Sequence, residues 1–382
     1  MKNWLKHFVG SFIKPSIVFE STPAFSDNTK PVYDELLSRG YAKKYCFIWY
    51  INDDKCASIK NGKISYWNPR ERDSIYKKIR NYSLYYKTKC LICCNTFLPA
   101  KGEERITFGP EQVSFYLTHG IPMKSVKGYY TSRGGVDFML SPAKAVNEIM
   151  AYEFSFPEDS VFALGYPRVD VFSKHPICLN QRLSTNYNKV IIWYPTYRQN
   201  KNGSIKFSGN SMPLIHDEKN AILLNEAAKF NNILIILKPH FVQDISLIQK
   251  LDLSNIWLID DSFFEKHGFS SYEMLAASDA LLTDYSSVYF DYTLRDKPIG
   301  VIWEDIEEYK VDPGFALDLD YYLKGAEKIY TIDELCQFVE EVAKGEDKLC
   351  NERREIRDTV SFSLDGKNTE RVVDFIIEKA KL

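Results

Sequence analysis

The stretch "SDALLTDYSSVYFDYTLRDKPIG", which runs from Ser278 to Gly300, decides the fold. Its apolar run stops at Thr283 and Asp284, two serines follow, a helix begins near Val288, and a second apolar strand starts at its end. A strand, a helix and another strand in this order are typical of a parallel sheet that is covered by helices. The stretch also poses a functional question, because an aspartate and two serines stand where a buried strand ends.

The same alternation of apolar strands and helices extends along the chain in two blocks. A polar segment broken by a proline, residues 173–189, separates the blocks. The predicted strands are 16–21, 44–51, 89–95, 112–120, 136–142 and 161–168 in the first block, and 256–260, 280–284 and 298–303 in the second, where 190–198 and 232–240 are each a strand that runs into a loop. The predicted helices include 30–40, 271–279, 331–345 and 368–381. This pattern predicts an α/β protein of two successive doubly wound domains with a ligand cleft between them.

The blocks set the predicted domain boundaries. The first domain covers residues 16–178 and the second covers residues 179–360. Residues 361–382 form a last helix that we expect to return to the first domain.

Two segments carry basic and aromatic residues together. Residues 1–15 place Trp4, Phe8 and Phe12 at helical spacing among lysines. This pattern is typical of a helix in a membrane interface, but an amphipathic helix docked on its own domain has it too. The basic stretch 76–89 also has two interpretations, which are attraction to anionic lipid and a solvated charged helix.

The composition excludes some classes of protein. Among 382 residues, 45% are apolar and 26% are charged, which is ordinary for a globular protein. The net charge of −2 argues against a nucleic-acid partner, since phosphate binding needs a basic excess. Cys90 and Cys93 have zinc-like spacing, but without a second ligand pair we expect buried thiols in a reducing compartment. The sequence therefore predicts no metal site and no required cofactor, and it leaves the dependence on a divalent metal open.

Polar groups cluster at the ends of the strands in the second block. Ligands of open α/β sheets bind at the carboxyl ends of the strands, so these residues are candidates for a binding site. They are Thr196, Arg198, Lys238, His240, Thr283, Ser286 and Ser287, with Asp284 and Asp291 nearby. A guanidinium, an ammonium and an imidazole beside a helix start form a pyrophosphate clamp.

Several of these candidates have a structural alternative. The serines are also common helix caps, and His240 is also a plausible structural histidine. Asp284 fits poorly beside an anion, so we expect it to accept backbone N–H groups or orient a neighbour rather than bind a metal. The clustering of the residues carries the inference, and no one of them does so alone.

The first block contributes one candidate base. His119 ends an apolar strand and precedes Gly120, which permits close approach of the backbone to a ligand, and Lys124 follows. A neutral imidazole here would deprotonate a hydroxyl that attacks a phosphorus atom. The chain lacks the "GxxxxGK[ST]" loop of many kinases and the "GxGxxG" spacing of many dehydrogenases, which argues against these two classes of enzyme.

Six motifs together resemble a known family. They are "FESTPAFSDNTKPVYDELL", "YLTHGIPMKSVKG", "FALGYPRVDVF", "YPTYR", "LKPH" and "LLTDYSSVYFDYTLRDKPI", in that order. In this order they resemble the CDP-glycerol glycerophosphotransferases of bacterial teichoic-acid and capsule synthesis, both primase and polymerase types. The resemblance covers roughly residues 16–309. It implies a GT-B fold, with the acceptor half first and the nucleotide half second.

The resemblance also implies an activity and a location. The enzyme would transfer glycerol phosphate or another polyol phosphate from CDP-glycerol or CDP-ribitol to a hydroxyl of a lipid-linked or glycan acceptor, and release CMP. It would act as a peripheral protein on the cytoplasmic face of the bacterial membrane, with homo-oligomer formation left open.

The resemblance assigns roles to matching residues. His119 corresponds to the proposed general base, His240 to a ligand of the donor phosphates, and Ser286 and Ser287 to pyrophosphate contacts; Arg198 matches the arginine after "YPT". Thr118 stands where the family usually has tryptophan, which leaves the acceptor open.

Two other functions fit the same architecture. A GT-B glycosyltransferase would release UDP or another nucleoside diphosphate, and a UDP-sugar epimerase would need a carboxylate pair that the sequence does not offer. A non-catalytic nucleotide-binding membrane protein would bind the donor without turnover.

Overall fold

The computed structural model describes residues 14–51, 65–67, 87–95, 112–127, 136–196, 212–239, 244–361 and 363–382. These residues form two compact units. The first unit draws on Met1–His119, Lys127–Asp170 and Asp365–Leu382, and the second on Gly120–Val126 and Val171–Leu364.

The first unit contains a seven-stranded sheet in the order β3-β2-β1-β4-β5-β6-β7. Every neighbouring pair in it is parallel. The strands are β1 Ser16–Glu20, β2 Cys46–Tyr50, β3 Ser65–Trp67, β4 Thr88–Cys93, β5 Val113–Tyr116, β6 Phe138–Ser141 and β7 Val161–Ala163. The α-helices of this unit are α1 Thr29–Ser38, α2 Asn147–Phe154 and α13 Asn368–Ala380, numbered in chain order with those of the second unit.

The second unit contains a six-stranded parallel sheet in the order β10-β9-β8-β11-β12-β13. The strands are β8 Lys189–Trp193, β9 Ile233–Leu237, β10 Ile256–Leu258, β11 Ala280–Thr283, β12 Ile299–Ile302 and β13 Glu327–Ile329. The helices are α3 Leu179–Leu183, α4 Glu218–Phe230, α5 Ser246–Gln249, α6 Asp261–His267, α7 Ser271–Ala277, α8 Val288–Tyr292, α9 Ile306–Val311, α10 Leu319–Tyr322, α11 Ile332–Lys344 and α12 Cys350–Val360.

Burial on both faces explains why the central strands are continuous apolar runs. All five residues of β9 are fully buried, and so are the four residues of β11. Helix α11 covers this sheet with Leu335 and Phe338. It begins at a capping box in which the hydroxyl of Thr331 accepts the N–H of Glu334 and the Glu334 carboxylate accepts the N–H of Thr331, as predicted.

Both sheets are doubly wound, which confirms the predicted fold class. In each sheet the chain starts in the middle, builds one half outward, and then returns to build the other half. The strand order therefore reverses between β1 and β4 and between β8 and β11. At such switch points the loops diverge to opposite faces and leave a crevice at the carboxyl ends of the strands.

Some boundaries differ from the sequence predictions. The units change at Asp170–Val171 rather than at 178–179, and the chain re-enters the first unit at Asp365 rather than at 361. Helix α13 lies in the first unit, where Arg39 of the α1 end forms an ion pair with Asp374 at 2.5 Å. Strands β3 and β13 were not predicted. Residues 1–13 and 76–86 lie outside the described residues, so both interpretations of these two segments remain predictions.

The CysXXCys pair is buried in β4, as predicted. Cys90 and Cys93 are free and have no exposed surface, and the burial raises their pKa well above the usual thiol value. Such thiols are inert packing groups. Within the described ranges, no three His, Cys, Asp or Glu side chains are grouped so that they would hold a metal ion. No helix in that part of the chain is long and apolar enough to cross a bilayer.

Candidate active site

The switch point of the second unit brings three candidate residues to one edge of its sheet. Lys238 follows β9, Thr196 follows β8 and Asp284 follows β11, and these three strands are neighbours. Adjacent strands lie about 4.8 Å apart, so the outer two are roughly 10 Å apart. This spacing suits a diphosphate with its two attached groups. The three residues therefore follow neighbouring strands, and their part in a binding site stays a prediction.

Asp284 ties the loop after β8 to the loop after β11. Its two carboxylate oxygens accept the backbone N–H of Thr196 at 2.9 and 3.0 Å, and the Thr196 hydroxyl donates to the same carboxylate. Asp284 has no exposed surface. A buried carboxylate needs such donors, because water cannot solvate it. This bonding confirms the expectation that Asp284 organises the loop by accepting backbone N–H groups.

Thr283 is a scaffold residue in this arrangement. It is fully buried at the end of β11, and its hydroxyl donates to the carbonyl of Tyr194 at 2.9 Å. Asp291, also buried, accepts the hydroxyl of Tyr272 at 2.5 Å. These bonds weigh against a direct contact between Thr283 or Asp291 and a ligand, and the predicted contact of Thr283 with a phosphate stays a prediction.

The two serines lie at the start of α8, as predicted, and both are half-buried. Ser286 Oγ lies 3.4 Å from the N–H of Val288, which is a long capping bond. Ser287 occupies the N-cap position without a side-chain capping bond. Capping therefore holds these hydroxyls only weakly. Because α8 has five residues, its dipole is small, so an anion here would be bound by hydroxyl and backbone N–H donors rather than by the helix dipole.

The predicted clamp consists of Arg198, Lys238 and His240, and of these Lys238 lies in the part of the chain that the structure describes. Its Nζ lies 3.1 Å from the carboxylate of Asp261, and it is about a quarter exposed. An ion pair of this kind in partial contact with water is weak. Arg198 and His240 lie outside the described residues, in the segments that follow Thr196 and Pro239, so their part in the clamp remains a prediction.

His119 follows β5 at the carboxyl edge of the first sheet. Its Nδ1 lies 3.3 Å from the hydroxyl of Tyr116, and the residue retains exposed surface. The protein packed around the ring nevertheless desolvates it, and this burial lowers the pKa of His119. Asp27 opposes the shift, and Arg168 adds to it. The ring is therefore neutral near pH 7 and able to accept a proton.

A buried polar cluster behind His119 was missed in the sequence analysis. Arg168, which is 6% exposed, donates to the carboxylate of Asp27 at 2.6 Å. Asn28 has no exposed surface, and its amide donates to the carbonyls of Leu117 and Thr118 at 3.0 and 3.1 Å. It thereby fixes the two residues that precede the imidazole.

The cluster extends to two further segments of the first unit. The Asn28 side-chain oxygen accepts the backbone N–H of Arg168 at 3.1 Å. The buried Glu20 carboxylate accepts the N–H groups of Cys94 and Asn95 at 3.0 and 2.9 Å. The signal that could have found these residues is a glutamate at the end of an apolar strand, followed by Asp-Asn before a helix.

The backbone around His119 has unusual conformations on both sides. Thr118 has φ 53° and its hydroxyl donates to Tyr166 at 3.0 Å, so the residue that replaces the family tryptophan is fixed inside the first unit. Gly120 has φ 133°, a region that favours glycine. Lys124 lies further along, where it forms a β-bridge with Phe315 within the second unit.

A family profile and several curated relatives indicate one family. A profile of the CDP-Glycerol:Poly(glycerophosphate) glycerophosphotransferase family matches residues 5–378. A teichoic acid poly(glycerol phosphate) polymerase of Bacillus spizizenii is 26% identical over 80% of this chain and 78% of its own length. A teichoic acid glycerol-phosphate primase of Bacillus subtilis is 22% identical over 83% of this chain and 81% of its own length.

Other relatives are longer, and solved structures share the fold. A teichoic acid poly(ribitol-phosphate) polymerase of Bacillus spizizenii is 25% identical over 94% of this chain, which spans 56% of that protein. The structure of the wall teichoic acid polymerase TagF superposes with a TM-score of 0.69 at 22% identity, and covers all of this chain and 94% of its own. At this identity the likeness concerns the fold, and it supports the predicted GT-B arrangement of two Rossmann-like units.

Proposed function

This chain belongs to the CDP-glycerol:poly(glycerophosphate) glycerophosphotransferase family, and from that premise we propose that it transfers a polyol phosphate from a CDP-activated donor to a hydroxyl. The donor is CDP-glycerol or the related CDP-ribitol, the acceptor is a lipid-linked or glycan hydroxyl, and CMP leaves. Relatives named as glycerol-phosphate and ribitol-phosphate enzymes of teichoic acid support both donors.

The reaction is a displacement at the β-phosphorus of the donor. A bond forms between the acceptor oxygen and the β-phosphorus, while the bond from that phosphorus to the bridging oxygen breaks. CMP leaves with the electron pair of the broken bond, and the proton of the acceptor hydroxyl goes to His119. The lowered pKa of His119 supports this role, because the neutral ring is the form that accepts a proton.

The charge that builds on CMP needs donors that are already in place. Lys238 supplies an ammonium at the carboxyl end of β9, and Ser286 and Ser287 supply two hydroxyls after β11, with β8 between the two strands. Arg198 and His240 add two further cationic or polar groups from segments that directly follow described strand-end residues. Asp284 acts through Thr196 and keeps the two loops together. Preorganised donors of this type each contribute about 10²–10³-fold in rate.

The enzyme works as a peripheral protein at the cytoplasmic face of the membrane in this proposal. The teichoic acid relatives support a membrane-linked acceptor. The basic and aromatic residues in 1–15 and 76–89 are the segments that would contact the lipid surface.

One observation carries the proposal. In a chain of this family, the loops that follow the neighbouring strands β8 and β11 are bonded to each other at the switch point of the second sheet. The test incubates the protein with a lipid-linked acceptor and CDP-glycerol, CDP-ribitol or a UDP-sugar, with and without EDTA. We expect CMP release from a CDP-polyol. Release of UDP from the UDP-sugar instead would overturn the proposal in favour of a glycosyltransferase.

A pair of variants tests the base. His119→Ala should bind CDP-glycerol as the wild type does and lose about 10²-fold or more in turnover. His175→Ala, at an exposed histidine of the second unit, is the matched control and should keep full activity. Unchanged turnover in His119→Ala, together with donor binding, would point to a non-catalytic nucleotide-binding protein.

A further inference from the structure

The segment that follows His119 is built into the second unit. Residues Gly120–Val126 group with the donor-side unit, although His119 itself groups with the first. Ser125 donates its N–H to the carbonyl of Gly314 at 3.0 Å, and Ala316 donates to Met123 at 3.0 Å. These two bonds form an antiparallel bridge between Lys124 and Phe315. The bridge fixes the chain only a few residues after the proposed base.

The bridge residue Phe315 packs against the loop of the predicted phosphate site. Its ring centroid lies 5.4 Å from that of Tyr285, and Tyr285 lies 4.3 Å from Tyr309. Tyr285 stands between Asp284 and Ser286 in the sequence, so its backbone is part of the loop that carries the serines. The three rings therefore form one aromatic cluster that connects the serine loop to the 120–126 segment.

The position of Tyr285 is fixed at both ends of its side chain. The residue is 1% exposed, and its hydroxyl donates to Asp305 Oδ1 at 2.9 Å. A buried ring that is held by a hydrogen bond cannot shift without moving its neighbours, because protein interiors are close-packed. A displacement of the serine loop is thus transmitted to Phe315 and to the backbone that Phe315 pairs with.

We infer that Tyr285 and Phe315 are positioning residues for the transfer reaction. They hold the segment that follows His119 against the loop that we propose binds the donor diphosphate, and the backbone of that segment continues directly into the base. This inference rests on the proposed function, and it concerns residues to which neither the family nor the sequence motifs assigned a role here. Neither ring needs to touch the substrate.

The kinetic test compares three variants with the wild type in the CMP-release assay. Phe315→Ala removes the ring but keeps the backbone bridge, and we expect kcat to fall about 10-fold or more, since a small misplacement of a catalytic group is costly. The KM for CDP-glycerol should stay within about twofold, because no donor-binding group is lost. Phe315→Tyr keeps the ring and should restore kcat.

Phe338→Ala is the structural control. Phe338 lies on helix α11, is buried in the core of the same unit, and has no contact with the aromatic cluster among those described. It should lower the melting temperature at least as much as Phe315→Ala while leaving kcat within about twofold of the wild type. An equal loss of kcat in both variants would show that Phe315 contributes only to the stability of the fold, and it would overturn the inference.

Hydrogen exchange tests the same inference without turnover. In Phe315→Ala, the amides of Ser125 and Ala316 should exchange at least about 10-fold faster than in the wild type, because opening of the bridge becomes easier. Addition of CDP-glycerol should slow these amides in the wild type and not in the variant. If the amides of Ser125 and Ala316 exchange equally fast in the variant and in the wild type, the inference is overturned. If exchange changes as expected but the wild type releases no CMP, only the proposed function is overturned. Phe315→Leu replaces Phe315→Ala in both assays if the alanine variant does not fold.

Discussion

Replacement of Asn28 by aspartate tests whether the buried cluster behind His119 positions the base. The change keeps the shape of the side chain and the oxygen that accepts the N–H of Arg168. It removes the amide that donates to the carbonyls of Leu117 and Thr118. The two carbonyls then face a carboxylate oxygen in a place that has no exposed surface.

The size of the effect follows from the two lost hydrogen bonds. A buried acceptor without its donor costs about 1–3 kcal/mol, and a proton taken up by the new carboxyl group recovers one of the two bonds. The net cost is therefore about 1–3 kcal/mol for the protonated form, and near pH 7 the uptake of the proton adds to it. For a unit of this size each kcal/mol lowers the melting temperature by roughly 2–4 °C, and the loss is smaller at acid pH, where the uptake of the proton costs less.

The assay compares stability with turnover. In Asn28→Asp, kcat should fall about 10–100-fold while the affinity for CDP-glycerol stays near that of the wild type, because the imidazole is misplaced and the donor site is intact. Asn255→Asp is the matched control, since Asn255 is 6% exposed and donates to the Ile233 carbonyl at 2.8 Å in the second unit. It should melt earlier and keep its kcat. Wild-type kcat in a folded Asn28→Asp protein, or an equal loss in both variants, would refute the reasoning.

Four further outcomes are expected. The kcat/KM should fall toward acid pH with a midpoint below about 6.5, since burial lowers the pKa of His119, and a midpoint above that value would contradict a neutral base. Asp261→Asn should tighten binding of CDP-glycerol about 2–5-fold in calorimetry, because it frees Lys238 from an ion pair; weaker binding would oppose this role for the lysine. Asp284→Asn should cost about 2 kcal/mol of stability in thermal melts, because a charged hydrogen-bond acceptor becomes neutral. An Asp284→Asn protein of full stability, together with loss of wild-type activity in EDTA, would indicate instead that Asp284 binds a metal ion. Burial raises the pKa of Glu327 to about 7, so the folded state holds a proton that the unfolded state releases near 4.5; stability should fall as pH rises between these values, and the slope should vanish in Glu327→Gln.

Much of the fold followed from local patterns in the sequence. The apolar runs at β1 and β11 were read within one residue, as was the start of the run at β9, because strands that are buried on both faces carry no polar interruption. The strands that were missed, β3 and β13, have three residues each and lie at sheet edges, where Ser65 or Glu327 breaks the apolar pattern. The edge strands β7 and β10 are equally short but keep an apolar run, and both were predicted, so the polar interruption explains the two misses.

The candidate site was predictable only where it depends on strand ends. Asp284 and Thr196 follow strands directly, so the parallel sheet brings them together. The contacts of Asn28 depend on a left-handed Asp27, at φ 54°, and on segments about 90 and 140 residues further along the chain. Contacts between residues so far apart in the sequence produce no periodic pattern in it. The grouping of Gly120–Val126 with the second unit was unpredictable for the same reason.

The most direct measurement of the central claim is a crystal structure of the His119→Ala protein with CDP-glycerol bound. The account predicts that the diphosphate lies at the carboxyl ends of β8, β9 and β11, within about 3 Å of the Lys238 ammonium and of a hydroxyl of Ser286 or Ser287. A diphosphate bound elsewhere on the protein, with these three side chains unengaged, would contradict it.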